Sequence, residues 1–325
     1  MKFLDKIEPL LLLAAVAAGV LLGGVKIVES LAQAFISPFL TFMLFGLFWD
    51  VPLGDLSKSF RNVKFTFTAF TINFIWTPLF AWLLTRIFLE PSPQLALGFI
   101  LLMVTPCTDW YLVFTNMAKG DLKLSLAILP VNLITQVLLL PIYILILGGS
   151  VGWTDPLLLL KSAVMVLIVP FALAKAVKYL LRKQKKASAL MENIFVKRQF
   201  FWLWMAILAM FASERIIGSG YLPIFLSILF PVLIFFVLTF FISRTIGKLM
   251  GFGKEGTVSL MFTTLARNSP LALAFAQRAF PQEKMILIPL VIGPLIELPI
   301  LALMAQFLIM LGARPDKAES SVRGS

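Results

Sequence analysis

Ten apolar runs dominate the 325-residue chain, at residues 7–25, 28–48, 64–88, 94–118, 122–147, 156–180, 199–213, 221–246, 256–279 and 284–311. Crossing a bilayer takes about 20 mainly apolar residues, within a range near 17–25. The seventh run is short by itself. Its start, Phe200-Phe201-Trp202-Leu203-Trp204, reads as an interfacial aromatic belt, and Glu214-Arg215 closes its far end, so it counts as a span. Composition points the same way: 60% of residues are hydrophobic and 14% charged, with a mean hydropathy of +0.98. A soluble domain carries about 45–50% apolar and about 25% charged residues, so the surplus here must face lipid or other embedded helices. The predicted fold is an all-α polytopic membrane protein of ten transmembrane helices. The chain has no histidine and one cysteine. Disulfide scaffolds, His-based zinc sites, Ser-His-Asp triads and Cys-His pairs are thereby excluded. No acid/base pair or metal cage shows outside the apolar runs, which makes an enzyme the least supported class and implies no cofactor.

The net charge of +12 takes its meaning from where the basic residues fall. With loops assigned alternately to the two sides, 21 of the 28 Lys and Arg lie on the side of the N-terminus, eight of them between Lys175 and Arg198. Five lie opposite (Lys26, Arg86, Arg215, Arg278 and Lys284), and Lys161 and Arg267 fall inside runs. Basic loops resist translocation, so both termini are predicted to be cytoplasmic, in a plasma membrane. The high charge is then a topology signal, and the basic run 182–198 is not read as a nucleic-acid surface. No small-residue cleavage site follows the first run, and no cleaved signal peptide is expected. Residues 313–325 form a polar tail whose end reads as an expression-vector scar, outside the fold.

Five runs precede Gly148-Gly149-Ser150 and five follow it. An odd number per half forces the halves into opposite orientations, the geometry of an inverted repeat. The chain accordingly divides into a first five-helix repeat, 1–150, and a second, inverted one, 151–312. The fourth run of each half is interrupted near its middle, by Thr105-Pro106-Cys107-Thr108-Asp109 and by Arg267-Asn268-Ser269-Pro270. Proline removes a backbone donor and crowds the carbonyl four residues back, and in lipid the freed groups need partners. Broken backbone at that depth is tolerated where it is buried or lines a cavity. Spans 4 and 9 are therefore expected to be two broken, crossing helices that aim half-helix ends at a solute or ion. Spans 3–5 and 8–10 are expected to form a core that holds them, and spans 1, 2, 6 and 7 a panel against which the core moves.

A charge at the centre of a span costs at least about 2.5–3.5 kcal/mol. Asp109, Arg267 and Glu297 incur that cost. Pairing Arg267 with a carboxylate is the economical arrangement for one acid. The other is left to titrate or to meet a cation, and desolvation suits an unpaired carboxyl to carry a proton. Asn73, Asn116, Asn132 and Gln136 lie at span depth and read as interhelical hydrogen bonding. Cys107 reads either as a small apolar filler or as a soft ligand for a soft metal or metalloid. Its place inside a polar break, beside Asp109, favours the ligand.

Taken in order, Thr105-Pro106-Cys107-Thr108, Ala118-Lys119-Gly120-Asp121, Ala266-Arg267-Asn268 and Gly293-Pro294-Leu295-Ile296-Glu297-Leu298-Pro299 resemble the arsenite efflux permeases of the bile acid/sodium symporter superfamily. The likeness extends over all ten spans, and the Gly-Pro-Leu-Ile-Glu segment is its most specific part. The resemblance implies a secondary transporter that exports arsenite, with antimonite a second candidate, in exchange for protons by alternating access. It implies that Cys107 contacts the metalloid and that Glu297 is a further essential group. On the same reading Thr108, Asn268 and Ser269 line the crossing, Glu297 or Asp109 carries the proton, and Arg267 holds the other carboxylate. The sodium-coupled branch is expected to place a Ser-Asn pair in the fourth span and a glutamate with a glutamine in the ninth. The aligned positions here hold Tyr111, Leu112, Thr263 and Arg267, which implies protons rather than sodium. Two departures from the arsenite pattern leave the cargo open: Asp109-Trp110-Tyr111 follows Cys107-Thr108, and Asn132-Leu133 stands where an Asn-Asp pair is expected. The alternative is a sodium- or proton-coupled organic anion symporter, with Arg267 on a substrate carboxylate and Cys107 as filler. A channel or receptor is a third class. The implied partners are a small solute, a coupling ion and the bilayer.

Overall fold

The computed structural model describes residues 3–23, 26–50, 62–149, 156–213 and 221–313. Ser150 of the expected repeat boundary, the Glu214-Arg215 stop, the tail from Arg314, and Lys2, Lys58 and Arg61 of the basic side lie outside them. The helices are α1 (Phe3–Leu22), α2 (Lys26–Asp50), α3 (Val63–Phe88), α4 (Pro93–Met103), α5 (Trp110–Met117), α6 (Leu122–Leu147) and α7 (Leu157–Lys183). They continue with α8 (Lys185–Val196), α9 (Gln199–Ala212), α10 (Tyr221–Leu249), α11 (Gly253–Leu265), α12 (Ser269–Ala279) and α13 (Leu287–Ala313). Six of them, α2, α3, α6, α7, α10 and α13, contain stretches long and apolar enough to cross a membrane. A seventh is added if α8 and α9, bent by 40° at their junction, are one span. The protein is an all-α polytopic membrane protein. The four short helices α4, α5, α11 and α12 have 11, 8, 13 and 11 residues and cannot cross unaided.

Local chemistry explains several element ends. Asp121 starts α6 by accepting from the backbone N–H groups of Lys123 (2.8 Å) and Leu124 (3.2 Å). Proline alone does not explain the breaks, because α6 carries Pro130 and Pro141, and α13 carries Pro294 and Pro299, inside continuous helices. Nor does Pro270 lie in a break. It occupies the first turn of α12, where a missing N–H leaves no bond unmade, and the unwound residues are 266–268.

Helix α2 packs on α7, α8 and α9, and α1 packs on α9. Separately, α4 packs on α13, α10 on α11, and α12 on α13. The α4–α13 contact is made by glycine: a Cβ at Gly293 would meet Leu102 Cδ2 at 2.6 Å, and one at Gly98 would run into the Ile286 carbonyl. A π-helical turn, Ile72–Trp76 within α3, carries Asn73 inward, where its amide donates to the Thr263 carbonyl at 3.2 Å. Of the other amides read as interhelical hydrogen bonds, Asn116 is exposed. Asn132 and Gln136 are buried with no side-chain hydrogen bond among the described residues.

Candidate functional site

The two breaks meet. Pro106, between α4 and α5, and Arg267, between α11 and α12, form an isolated antiparallel bridge of extended backbone. The Cys107 N–H donates to the Ala266 carbonyl at 2.9 Å, and the Asn268 N–H donates to the Thr105 carbonyl at 2.6 Å. Each unwound segment thus meets polar groups freed by the other, which is the condition for irregular backbone at membrane depth. The Thr105 hydroxyl folds back on the carbonyls of Leu101 (3.0 Å) and Leu102 (3.1 Å). Asn268 starts α12: its Oδ1 accepts from the Leu271 N–H at 3.3 Å, and its Nδ2 donates to Thr108 Oγ1 at 3.4 Å. Thr108 Oγ1 in turn donates to Asp109 Oδ2 at 3.5 Å. The Ser269 hydroxyl donates to the Leu290 carbonyl of α13.

The buried charges are arranged differently from the expected ion pair. Arg267 is 2% exposed, and its guanidinium donates to the carbonyls of Met103 (2.7 Å), Leu265 (2.9 Å) and Thr264, and to Asn73 Oδ1 (3.4 Å). The face of Phe235 lies 5.2 Å from it. Glu297, 3% exposed, accepts the backbone N–H of Arg267 at 2.7 Å and forms no side-chain ion pair with it. The reason is the breaks themselves. Met103, Thr264 and Leu265 lie in the last turns of α4 and α11, where helices leave carbonyls without partners and carry partial negative charge. Those carbonyls claim the guanidinium, and Glu297 takes the main-chain donor that unwinding frees.

A small cavity of about 30 Å³ lies against the crossing. Cys107, Asp109, Arg267, Asn268, Ser269 and Glu297 all line it, brought together from both breaks and from α13. Thr108 is buried behind this wall and ties Asn268 to Asp109. Cys107 is a free, buried thiol. The opposite wall comes from Met43 and Leu47 of α2 and from Gln199, Phe200 and Leu203 of α9.

Sequence reasoning missed that second wall. Of the aromatic run read as an interfacial belt, the half-buried Phe200 meets the Trp110 ring at 5.3 Å between centroids, and the half-buried Trp202 packs on Phe39 and Phe42. Phe201 alone of these rings is strongly exposed, at 44%. Gln199 is a single amide at the head of an apolar run, and no sequence signal marks it. Its position at the cavity follows from the packing of α9 on α2.

The sequence profile of the Sodium Bile acid symporter family matches residues 37–219. Uncharacterized protein YbaS of Bacillus subtilis is 27% identical over 324 aligned residues, covering 94% of this chain and 98% of its own. Arsenical-resistance protein Acr3 of Corynebacterium glutamicum is 25% identical over 348 aligned residues, covering 96% of this chain and 90% of its own.

Proposed function

The chain belongs to the Sodium Bile acid symporter family, and from that membership we propose that it is a secondary active transporter exporting arsenite, with antimonite a second cargo, in exchange for protons. The near full-length similarity to an arsenical-resistance protein supports the arsenite branch, in line with the resemblance carried by the four motifs. The observation that carries the reading is convergence. One thiol, two carboxyls, an amide and a hydroxyl, drawn from both broken helices and α13, line one cavity. In this reading the Cys107 sulfur lies against the arsenic of neutral As(OH)3, which is a soft acceptor. Asn268 and Ser269 orient its hydroxyls, and Glu297 or Asp109 carries the counter-moving proton.

Ten spans in an inverted 5+5 repeat, with both termini cytoplasmic, are part of the same proposal. Its support is that the interrupted fourth member of each half pairs with its counterpart across an antiparallel bridge. Helices α3–α6 and α10–α13 make the core, and α1, α2, α7, α8 and α9 the panel. Protons rather than sodium are favoured because three carbonyls and the Asn73 amide oxygen converge on a guanidinium. Oxygens of that kind suit a hard cation, and here a permanent tethered one holds them. The same commitment disfavours the organic-anion symporter, since Arg267 has no free fork with which to clamp a substrate carboxylate.

Everted membrane vesicles test the reading. Arsenite should accumulate when a proton gradient is imposed, stop when an ionophore collapses the gradient, and be indifferent to sodium at fixed pH. Cys107→Ala should abolish arsenite resistance in cells at unchanged expression. Uptake that requires sodium overturns the coupling ion, and undiminished resistance in Cys107→Ala removes the thiol from the mechanism.

A further inference from the structure

A second cavity, remote from the crossing and of about 680 Å³, opens where α10 turns into α11. Arg244 and Lys248 on the last turns of α10, and Lys254 in the first turn of α11, line it. Among the described residues no acidic one lines the cavity, and none of the three cations has a side-chain hydrogen bond or ion pair. Arg244 and Lys248 stand four apart on one helix, where like charges repel unless an anion lies between them. The connecting turn passes through Gly251 (φ 68°) and Gly253 (φ 67°), left-handed conformations that glycine adopts without strain. Helix α11 then starts with no side-chain cap, so its first N–H groups carry partial positive charge; Glu255 of the same turn is exposed and does not line the cavity. Apart from the turn glycines and Thr257, whose hydroxyl is taken up by the Gly253 carbonyl, the rest of the wall is apolar: Ala118, Val258, Met261 and Leu308.

We propose that this cavity holds the phosphate headgroup of an anionic membrane lipid, whose acyl chains leave along α10 and α13. Charge complementarity selects an anion. The apolar wall, continuous with membrane-spanning helices that carry exposed residues such as Leu249 and Met310, selects a lipid over free phosphate. A basic pocket between helices at the lipid surface is suited to that occupant. The inference rests on the membrane placement of the chain and is independent of its cargo, so its failure would leave the transport reading intact.

The full chain, purified in neutral detergent, can be offered phosphatidylglycerol, phosphatidylcholine or inorganic phosphate, with retention read by native mass spectrometry. Phosphatidylglycerol should be retained in preference to phosphatidylcholine and should resist displacement by inorganic phosphate. Each of Arg244→Gln, Lys248→Gln and Lys254→Gln should weaken retention about fivefold, whereas Lys248→Arg with Lys254→Arg should preserve it. Lys248 and Lys254 are exposed and Arg244 is half-buried, and monodisperse elution checks that each variant folds. Equal retention of the two lipids, or undiminished phosphatidylglycerol in the triple glutamine variant, overturns the proposal. Displacement of the lipid by inorganic phosphate overturns the lipid as occupant and leaves a free-anion site.

Discussion

Arg267 shows how a buried guanidinium is held by helix-end carbonyls rather than by a side-chain ion pair. Its planar fork reaches carbonyls in two helix ends, a geometry a compact ammonium cannot copy. Arg267→Lys should therefore orphan at least one buried carbonyl, at a cost of about 1–3 kcal/mol, read as a lower melting temperature in detergent. An unchanged melting temperature would show that the fork is dispensable. Glu297 separates structure from proton handling, because Glu297→Gln keeps an oxygen for the Arg267 N–H but cannot ionise. That variant should fold normally and lose proton-driven arsenite transport; retained coupling would assign the proton elsewhere. Asn268 has two roles that its variants can divide. Asn268→Ala removes the cap of α12, about 0.5–2 kcal/mol, together with the donor to Thr108, and should lose stability and transport alike. Asn268→Asp keeps the cap oxygen but not the donor, so stability should return without transport. Recovery of both would reduce Asn268 to a structural cap.

At the scale of elements, the α4–α13 contact makes a sharper prediction, because two glycines of that seam fail for different reasons. At Gly293 a new Cβ meets the end of the Leu102 side chain, and at Gly98 it meets main chain. Gly293→Ala should destabilise by about 1–3 kcal/mol as an overpacked contact, and Leu102→Ala should recover part of that loss. No side-chain substitution should recover Gly98→Ala. Melting temperatures of the two singles and the double give the coupling directly, and additive effects at Gly293 and Leu102 would contradict the contact. The same seam marks the limit of what sequence reveals. The two breaks, between α4 and α5 and between α11 and α12, are legible because polar residues interrupt apolar runs, and Cys107, Asp109, Arg267 and Glu297 are legible because lipid makes such groups costly. The extent of the second break is not legible, since Pro270 reads alike as a helix breaker and as a first-turn residue. That the two breaks cross is expected from the repeat, but the backbone bridge that joins them, between Pro106 and Arg267, 161 positions apart, is not, since local pattern carries nothing about which main-chain groups pair. The contribution of α9 is hidden for a related reason: an aromatic run at a span end looks the same whether its rings meet lipid or a cavity.

For the molecule as a whole, the cavity lies between two groups of helices, with the breaks and α13 on one side and α2 and α9 on the other. If transport proceeds by core moving against panel, contacts across that boundary set the balance between states. The Trp110–Phe200 pair is such a contact, one ring from each group, with centroids 5.3 Å apart. Aromatic pairs of this kind contribute about 0.5–1.5 kcal/mol beyond simple burial, equivalent to about two- to tenfold in an equilibrium. Phe200→Ala should therefore favour states in which the cavity is open. Cys107, the only thiol in the chain and 5% exposed here, reports on that opening without any introduced label. Maleimide reaction at Cys107 in sealed everted vesicles should be slow in the unaltered protein, slower still with arsenite bound, and about two- to tenfold faster in Phe200→Ala. Phe201→Ala, one position along at an exposed ring, is the matched control and should leave the rate unchanged. Equal rates in the two variants would mean that the Trp110–Phe200 contact does not gate the cavity, and acceleration by arsenite would place the thiol outside the transported solute's path.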